Sequence, residues 1–185
     1  MMAVFATMSE VDNRPRSRCA LGLGGNIGDV RAAMAQALTA LDDRPEISVK
    51  AVSQLYRTAP WGRTDQPDFL NAAALVETVL TPQALLQTCL GLERSAHRRR
   101  GTRWGPRTLD IDILYCDDVS IVTPNLTLPH PRMLDRAFVL APLADMAGDH
   151  RMAGRRVREW LALLDQRDVR RLSGTRDWWR GALKS

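Results

Sequence analysis

The chain has 185 residues, 45% of them hydrophobic and 25% charged, with a net charge of +5. That length and mix suit one globular domain with its own core and exclude wholesale disorder. No apolar run reaches the roughly 18 residues of a membrane-crossing helix, and the positive balance points to an anionic partner.

The amino-terminal "MMAVFATMSEVDNRPRSR" lacks a basic start, an apolar core and a small-residue cleavage site, so 1–17 read as a loose tail and not as a signal peptide. "RCALGLG" (18–24) reads as a short buried strand, and "GNIGDV" as a turn with Asp29 placed to cap the helix that follows. Val30, Ala33, Met34, Ala37, Leu38 and Leu41 give that helix one buried stripe. "ISVKAVSQLYRT" (47–58) alternates and is β-branched enough for a strand. The loop "APWGRTDQPD" stops it, and "FLNAAALVET" (69–78) is the next strand.

Thr81-Pro82 opens a second helix, with Leu85, Cys89, Leu92 and Ala96 as its apolar face. It is expected to end in "HRRRG", where arginines meet the negative end of the dipole and Gly101 breaks the run. A strand at 109–115, a proline-bearing stretch through "LTLPHP", a helix near 134–146 and a short helix at 155–164 follow; the tail at 173–185, with Trp178 and Trp179, stays unassigned. Strand–helix–strand–strand–helix–strand is the order of a ferredoxin-like βαββαβ core. The expected class is α+β: a two-layer sandwich with an antiparallel sheet and an extra C-terminal helix, in a single domain over 18–172.

Cys19, Cys89 and Cys116 are the only cysteines and show no C-x-x-C spacing. They read as buried thiols, with no disulfide framework and no zinc site, which fits a reducing cytoplasm. "GLGGNIG" misses the spacing of a dinucleotide fingerprint and no G-K-[ST] exists for a P-loop, so the glycines read as a tight turn.

Asp110 and Asp112 stand two apart in a strand, so both side chains leave the same face, about 6.5–7 Å apart at the α-carbons. Two such carboxylates can hold one Mg²⁺ or a closely spaced pair, or else pair with neighbouring arginine. Arg94, Arg98, Arg99, Arg100, Arg103 and Arg107 crowd the stretch before them. A metal on carboxylates beside arginine forks suits a triphosphate; the alternative is a solvated basic face. In "DFLNAA", alternation sends Leu70, Ala72 and Ala74 to one face and leaves Phe69 and Asn71 on the other, a ring and an amide able to receive a flat heteroaromatic. His130 sits between prolines in a rigid loop, with Arg132, Arg136 and Phe138 just after it.

These stretches resemble the 6-hydroxymethyl-7,8-dihydropterin pyrophosphokinase family. "RWGPRTLDIDIL" (103–114), "YRTAPWG" (56–62), "QPDFLNA" (66–72) and "LTLPHPRMLDRAFVLAPL" (126–143) match its motifs in the family's order, and the similarity spans about residues 18–172. The resemblance implies a ferredoxin-like core that binds ATP and the pterin along one open side and moves pyrophosphate between them. It implies that Asp110 and Asp112 hold two Mg²⁺ ions, and that Arg98 and Arg107 steady the transferred group. Arg100 and Trp104 match positions of a loop that closes over the substrates, Arg100 on the ATP side and Trp104 on the pterin side. Thr58, Phe69, Asn71 and Phe138 fall at pterin-site positions; Glu93, Thr127, His130 and Arg136 fall at ATP-site positions. A cytoplasmic monomer with no nucleic-acid or membrane partner is expected. The chain departs from the family pattern at "GGN" in place of G-S-N, at His97 in place of a usual glycine, and at Trp61, where smaller apolar residues are frequent.

Two other classes compete with this reading. A basic ferredoxin-like sheet can bind RNA, but such modules present aromatics where "TLDIDILY" presents aspartates. A two-metal nucleotide cyclase or polymerase-like palm would instead form a nucleotidyl bond and release pyrophosphate.

Overall fold

The apolar alternation of β1 (Ser17–Gly25) makes it the centre of the sheet: Cys19, Leu21 and Leu23 face one side, Ala20 the other. It lies antiparallel between β4 (Phe69–Thr78) and β5 (Asp110–Cys116). On the far side of β4 run β2 (Ile47–Val52) and β3 (Tyr56–Thr58), and β10 (Val169–Arg171) extends the sheet beyond β3. This computed structural model describes residues 15–60, 65–96, 107–117 and 119–180.

Two helices, α1 (Val30–Asp42) and α2 (Pro82–Ser95), cover the face formed by Leu21, Leu23, Ala72, Ala74, Val76, Ile111 and Ile113. Both begin as their sequences dictate. Asp29 accepts the N–H of Ala32 at 2.9 Å and Thr81 accepts that of Ala84 at 3.2 Å. Each cap stabilises its helix by about 1 kcal/mol. The element order and the all-antiparallel sheet are the expected βαββαβ arrangement.

Among the described residues, the second face is covered at one end only. There α3 (Ala137–Ala147) and α4 (Val157–Ala162) bury Ala20, Ala73, Leu114 and Tyr115. At the other end of this face Gly22, Gly24, Asn71, Asp110 and Asp112 border open space. Two hairpins stand outside the main sheet, β6 (Ile121–Val122) with β7 (Thr127–Leu128) and β8 (Arg151–Met152) with β9 (Arg155–Arg156).

Several boundaries differ from the sequence reading. The strand expected over 47–58 is broken at Ser53, whose hydroxyl accepts the N–H of Ala73 and donates to the carbonyl of Gln54 at 2.7 Å. The second helix stops at Ser95, before the arginines; the Ser95 hydroxyl turns back onto the carbonyl of Gly91 at 3.1 Å. Residues 97–100 of the expected helix end lie outside the described residues. The helix expected near 134–146 is a 3₁₀ turn over Met133–Asp135 followed by α3, and α4 begins only after β9.

Two further findings were hidden in the sequence. Cys19 and Cys116 form a disulfide, against the expectation of three free thiols; they sit directly opposite on β1 and β5, and only Cys89 is free. The unassigned tail packs onto the domain: Trp178 and Trp179 are only 7% and 4% exposed, and Trp178 Nε1 donates to the carbonyl of Ser53 at 2.9 Å. No helix among the described residues is long and apolar enough to cross a membrane.

Candidate active site

The open end of the second face forms a cavity of about 310 Å³. Its floor comes from β1, β4 and β5, where alternation that buries Leu23, Ala72 and Ile111 on one side turns Gly24, Asn71, Asp110 and Asp112 to the other. Its walls are β3 with Thr58 and the segment 130–139, which brings His130, Arg132, Arg136 and Phe138. Phe69 at the start of β4 and Arg107 just before β5 complete the rim.

At one side the cavity is shaped for a ring. Asn71 Nδ2 donates to Thr58 Oγ1 at 2.8 Å, and both residues are buried. That bond fixes the amide beside Gly24, its partner on β1, where an added Cβ would fall 3.2 Å from Asn71 Oδ1. The Phe138 ring lies 5.6 Å from the Arg136 guanidinium, so an aromatic surface and a fixed positive charge stand side by side.

At the other side the cavity gathers charge. Arg107 pairs with Asp110, three residues on. Asp112 opens to the cavity yet is ringed by protein; that enclosure, then the charge of Asp110, raises its pKa, against the pull of His130, Arg136 and Arg107. The enclosure of His130 lowers its own, while Asp112 acts the other way. Two like-charged carboxylates in one recess favour a cation between them. Their hard oxygen donors fit a divalent ion such as Mg²⁺, which keeps positions for phosphate oxygens and water. Among the described residues no three His, Cys, Asp or Glu side chains form a metal cage, so the two aspartates would leave positions on a cation for water or ligand oxygens.

A buried asparagine ties the rim together. Asn26 Nδ2 donates to Gln66 Oε1 at 3.1 Å and to the carbonyl of Pro67 at 3.2 Å, while its Oδ1 accepts the N–H of Arg107 at 2.8 Å. Its own N–H donates to the Arg107 carbonyl at 2.8 Å. Gly25 makes this approach possible: a Cβ there would fall 2.6 Å from the carbonyl oxygen of Thr108 and 2.9 Å from Val30 Cγ1. The sequence reads here as a tight turn; an asparagine between Gly25 and Ile27-Gly28 is the available signal.

Of the residues singled out from sequence, Thr58, Phe69, Asn71 and Phe138 line the cavity together with Arg107, Asp110, Asp112, His130 and Arg136. Glu93 does not line it. It is buried on α2 behind β5, where its Oε1 accepts the N–H of Ile111 at 2.7 Å. Thr127 lies on β7, also outside the lining. Trp61, His97, Arg98, Arg100 and Trp104 lie outside the described residues.

A family model described as 7,8-dihydro-6-hydroxymethylpterin-pyrophosphokinase matches residues 20–148. The chain is 48% identical over 156 residues to a 2-amino-4-hydroxy-6-hydroxymethyldihydropteridine pyrophosphokinase of Methylorubrum extorquens, covering 84% of this chain and 99% of that protein. It is 42% identical over 158 residues to the protein of the same name from Pseudomonas aeruginosa, covering 85% of this chain and 98% of that one. Among solved structures, wild-type HPPK-DHPS of Plasmodium falciparum superposes with a TM-score of 0.65 at 14% identity, which speaks for the fold. The match takes in 85% of this chain and 46% of that one, so the chain spans about half of that solved polypeptide.

Proposed function

We propose that this chain, which belongs to the 7,8-dihydro-6-hydroxymethylpterin-pyrophosphokinase family, transfers pyrophosphate from ATP to the hydroxymethyl group of 6-hydroxymethyl-7,8-dihydropterin, releasing AMP, in folate biosynthesis. The observation that carries the reading to this chain's own residues is the meeting, in one cavity, of the Asp110–Asp112 pair with the ring site at Thr58, Phe69, Asn71 and Phe138.

The acceptor's hydroxyl oxygen bonds to the β-phosphorus, the bond from that phosphorus to the oxygen of AMP breaks, and the hydroxyl proton is lost. Phe69 and Phe138 hold the heterocycle by its faces, and Asn71, oriented by Thr58, reads its edge. Asp110 and Asp112 would hold two Mg²⁺ ions, which would supply charge neutralisation for the triphosphate and Lewis-acid activation of the hydroxyl. Arg107, paired with Asp110 here, turns its fork to phosphate oxygens in the complex. His130 and Arg136, which face Asp112, add contacts on the ATP side, as Arg100 does by family position. Arg98, by the same likeness, joins Arg107 in steadying charge on the transferred group and the departing AMP. Trp104 by the same position closes the pterin side. Glu93 serves the ATP side by supporting β5 from behind. Thr127 belongs to the same side through β7, next to the His130 segment. Catalysis in this scheme is positioning plus charge neutralisation.

The test is direct. Purified protein incubated with ATP, Mg²⁺ and the dihydropterin should yield AMP and the pyrophosphorylated pterin in equal amounts. ADP, or pyrophosphate with a nucleotidyl product, would overturn the reading.

A further inference from the structure

Asp145 lies near the end of α3, seven residues after Phe138, so the two occupy one stripe of the helix about two turns apart. Its carboxylate is almost fully used. Oδ1 accepts the Tyr56 hydroxyl at 2.9 Å and Oδ2 accepts the main-chain N–H of Gln54 at 3.1 Å. Arg171 of β10 reaches within 3.9 Å of Oδ1, and Arg176 donates to the Asp145 carbonyl at 3.0 Å. The Asp145 side chain is 11% exposed and Tyr56 is 7% exposed, so these bonds are shielded from water.

The connection matters because of what each end carries. Tyr56 opens β3, and Thr58 closes it with the bond to Asn71. Asp145 therefore bolts the helix that presents Phe138 to the strand that presents Thr58. The helix needs such a bolt. Pro142 lies inside α3, four residues after Phe138, and has no N–H to give the Phe138 carbonyl. The helix is thus least self-supporting between its pocket end and its anchored end.

We propose that Asp145 is a positioning residue for the pterin site: through Tyr56 and Gln54 it fixes the spacing between Phe138 on one wall and Thr58–Asn71 on the other. It touches no substrate. This inference rests on the pterin-site reading above and adds a residue outside the cavity to it. On the ATP side, β5 and His130 stand apart from the bolt, and only Arg136, at the start of α3, is linked to it.

The experiment is steady-state kinetics with each substrate varied in turn, on the full chain and on Asp145→Ala, Asp145→Asn and Tyr56→Phe, alongside melting temperatures. Asp145→Ala should raise KM for the dihydropterin about tenfold, as expected for losing two shielded hydrogen bonds, and leave KM for ATP within about twofold. Tyr56→Phe should shift the same constant about two- to threefold, and Asp145→Asn, which keeps one acceptor, should fall between them. Equal rises in both KM values, or a lower melting temperature with neither KM changed, would overturn the proposal. If Asp145→Ala does not fold, Tyr56→Phe decides alone, and an unchanged pterin KM overturns the proposal. A full chain that makes no AMP refutes the function itself, a result distinct from any of these.

Discussion

Glu93 on α2 accepts the main-chain N–H of Ile111, the residue that separates Asp110 from Asp112, at 2.7 Å. Among the described residues β5 pairs only with β1, so its outer edge would otherwise leave that N–H without a strand partner there. A carboxylate from the helix layer takes the place of a neighbouring strand and holds both aspartates in register. Glu93→Ala should cost about 1–3 kcal/mol of stability through the buried N–H it abandons. Glu93→Gln keeps an acceptor and should recover most of it. Urea unfolding midpoints check this, and an alanine variant as stable as the parent would remove Glu93 from the account.

Replacing either cavity aspartate should separate activity from stability. Asp110 and Asp112 repel one another in a recess that already disfavours charge. Asp112→Asn relieves that repulsion, so the melting temperature should hold or rise while turnover drops by about a thousandfold or more. Asp110→Asn should behave alike in turnover but lose the Arg107 pair. Chelation of divalent cations should silence the parent enzyme and leave its circular dichroism unchanged. Activity surviving in either variant would contradict the metal-binding role.

The tyrosines offer a pH test. The chain has two, Tyr56 and Tyr115. Burial, then the hydrogen bond and charge of Asp145, push Tyr56 up to about 12; burial and the charge of Asp117 push Tyr115 to about 12. The folded state therefore keeps protons that the unfolded chain releases near pH 10. By linkage this stabilisation is complete below pH 10 and is lost as pH climbs towards 12. Absorbance at about 295 nm should show no phenolate in native protein at pH 10, while protein in denaturant titrates both rings there. Phenolate appearing in the native protein at pH 10 would show that these rings are not enclosed.

Thiol counting separates the cysteines. Cys89 is buried, and that burial, with Glu93 and Asp112 nearby, raises its pKa to about 12, so the reactive thiolate is scarce at neutral pH. Native protein should give no reaction with an aromatic disulfide reagent at pH 8. Denatured, unreduced protein should release one equivalent, and reduced protein three, matching the free Cys89 and the Cys19–Cys116 bridge. Three equivalents without reduction would mean that the bridge does not form.

What could be read in advance was local. The caps at Asp29 and Thr81, the alternation that turns Phe69 and Asn71 from the core, and the same-face aspartates each depend on a few neighbouring residues, and each stands as read. What escaped depends on partners far along the chain. Cys19 finds Cys116 across 97 residues, and Asn26 finds Gln66 and Arg107 across 40 and 81. Ser53 breaks a strand because its hydroxyl replaces a ladder bond to Ala73, which no propensity encodes. Trp178 and Trp179 carry no periodicity that would announce a buried strap, and Asp145 looks like any helix-surface acid until Tyr56 is brought to it.

The bridge from Cys19 to Cys116 also partitions the molecule. Everything from β1 to β5 lies within a covalent ring; α3, α4 and the strap hang outside it. The cavity straddles this division, with Asp110, Asp112, Asn71 and Thr58 enclosed and His130, Arg136 and Phe138 free of it. Stretched from its two ends, the oxidised protein can surrender its outer wall while about 330 Å of contour inside the ring stays out of reach of the force. Half of the binding site is thus tethered for good, and the other half can peel away and return.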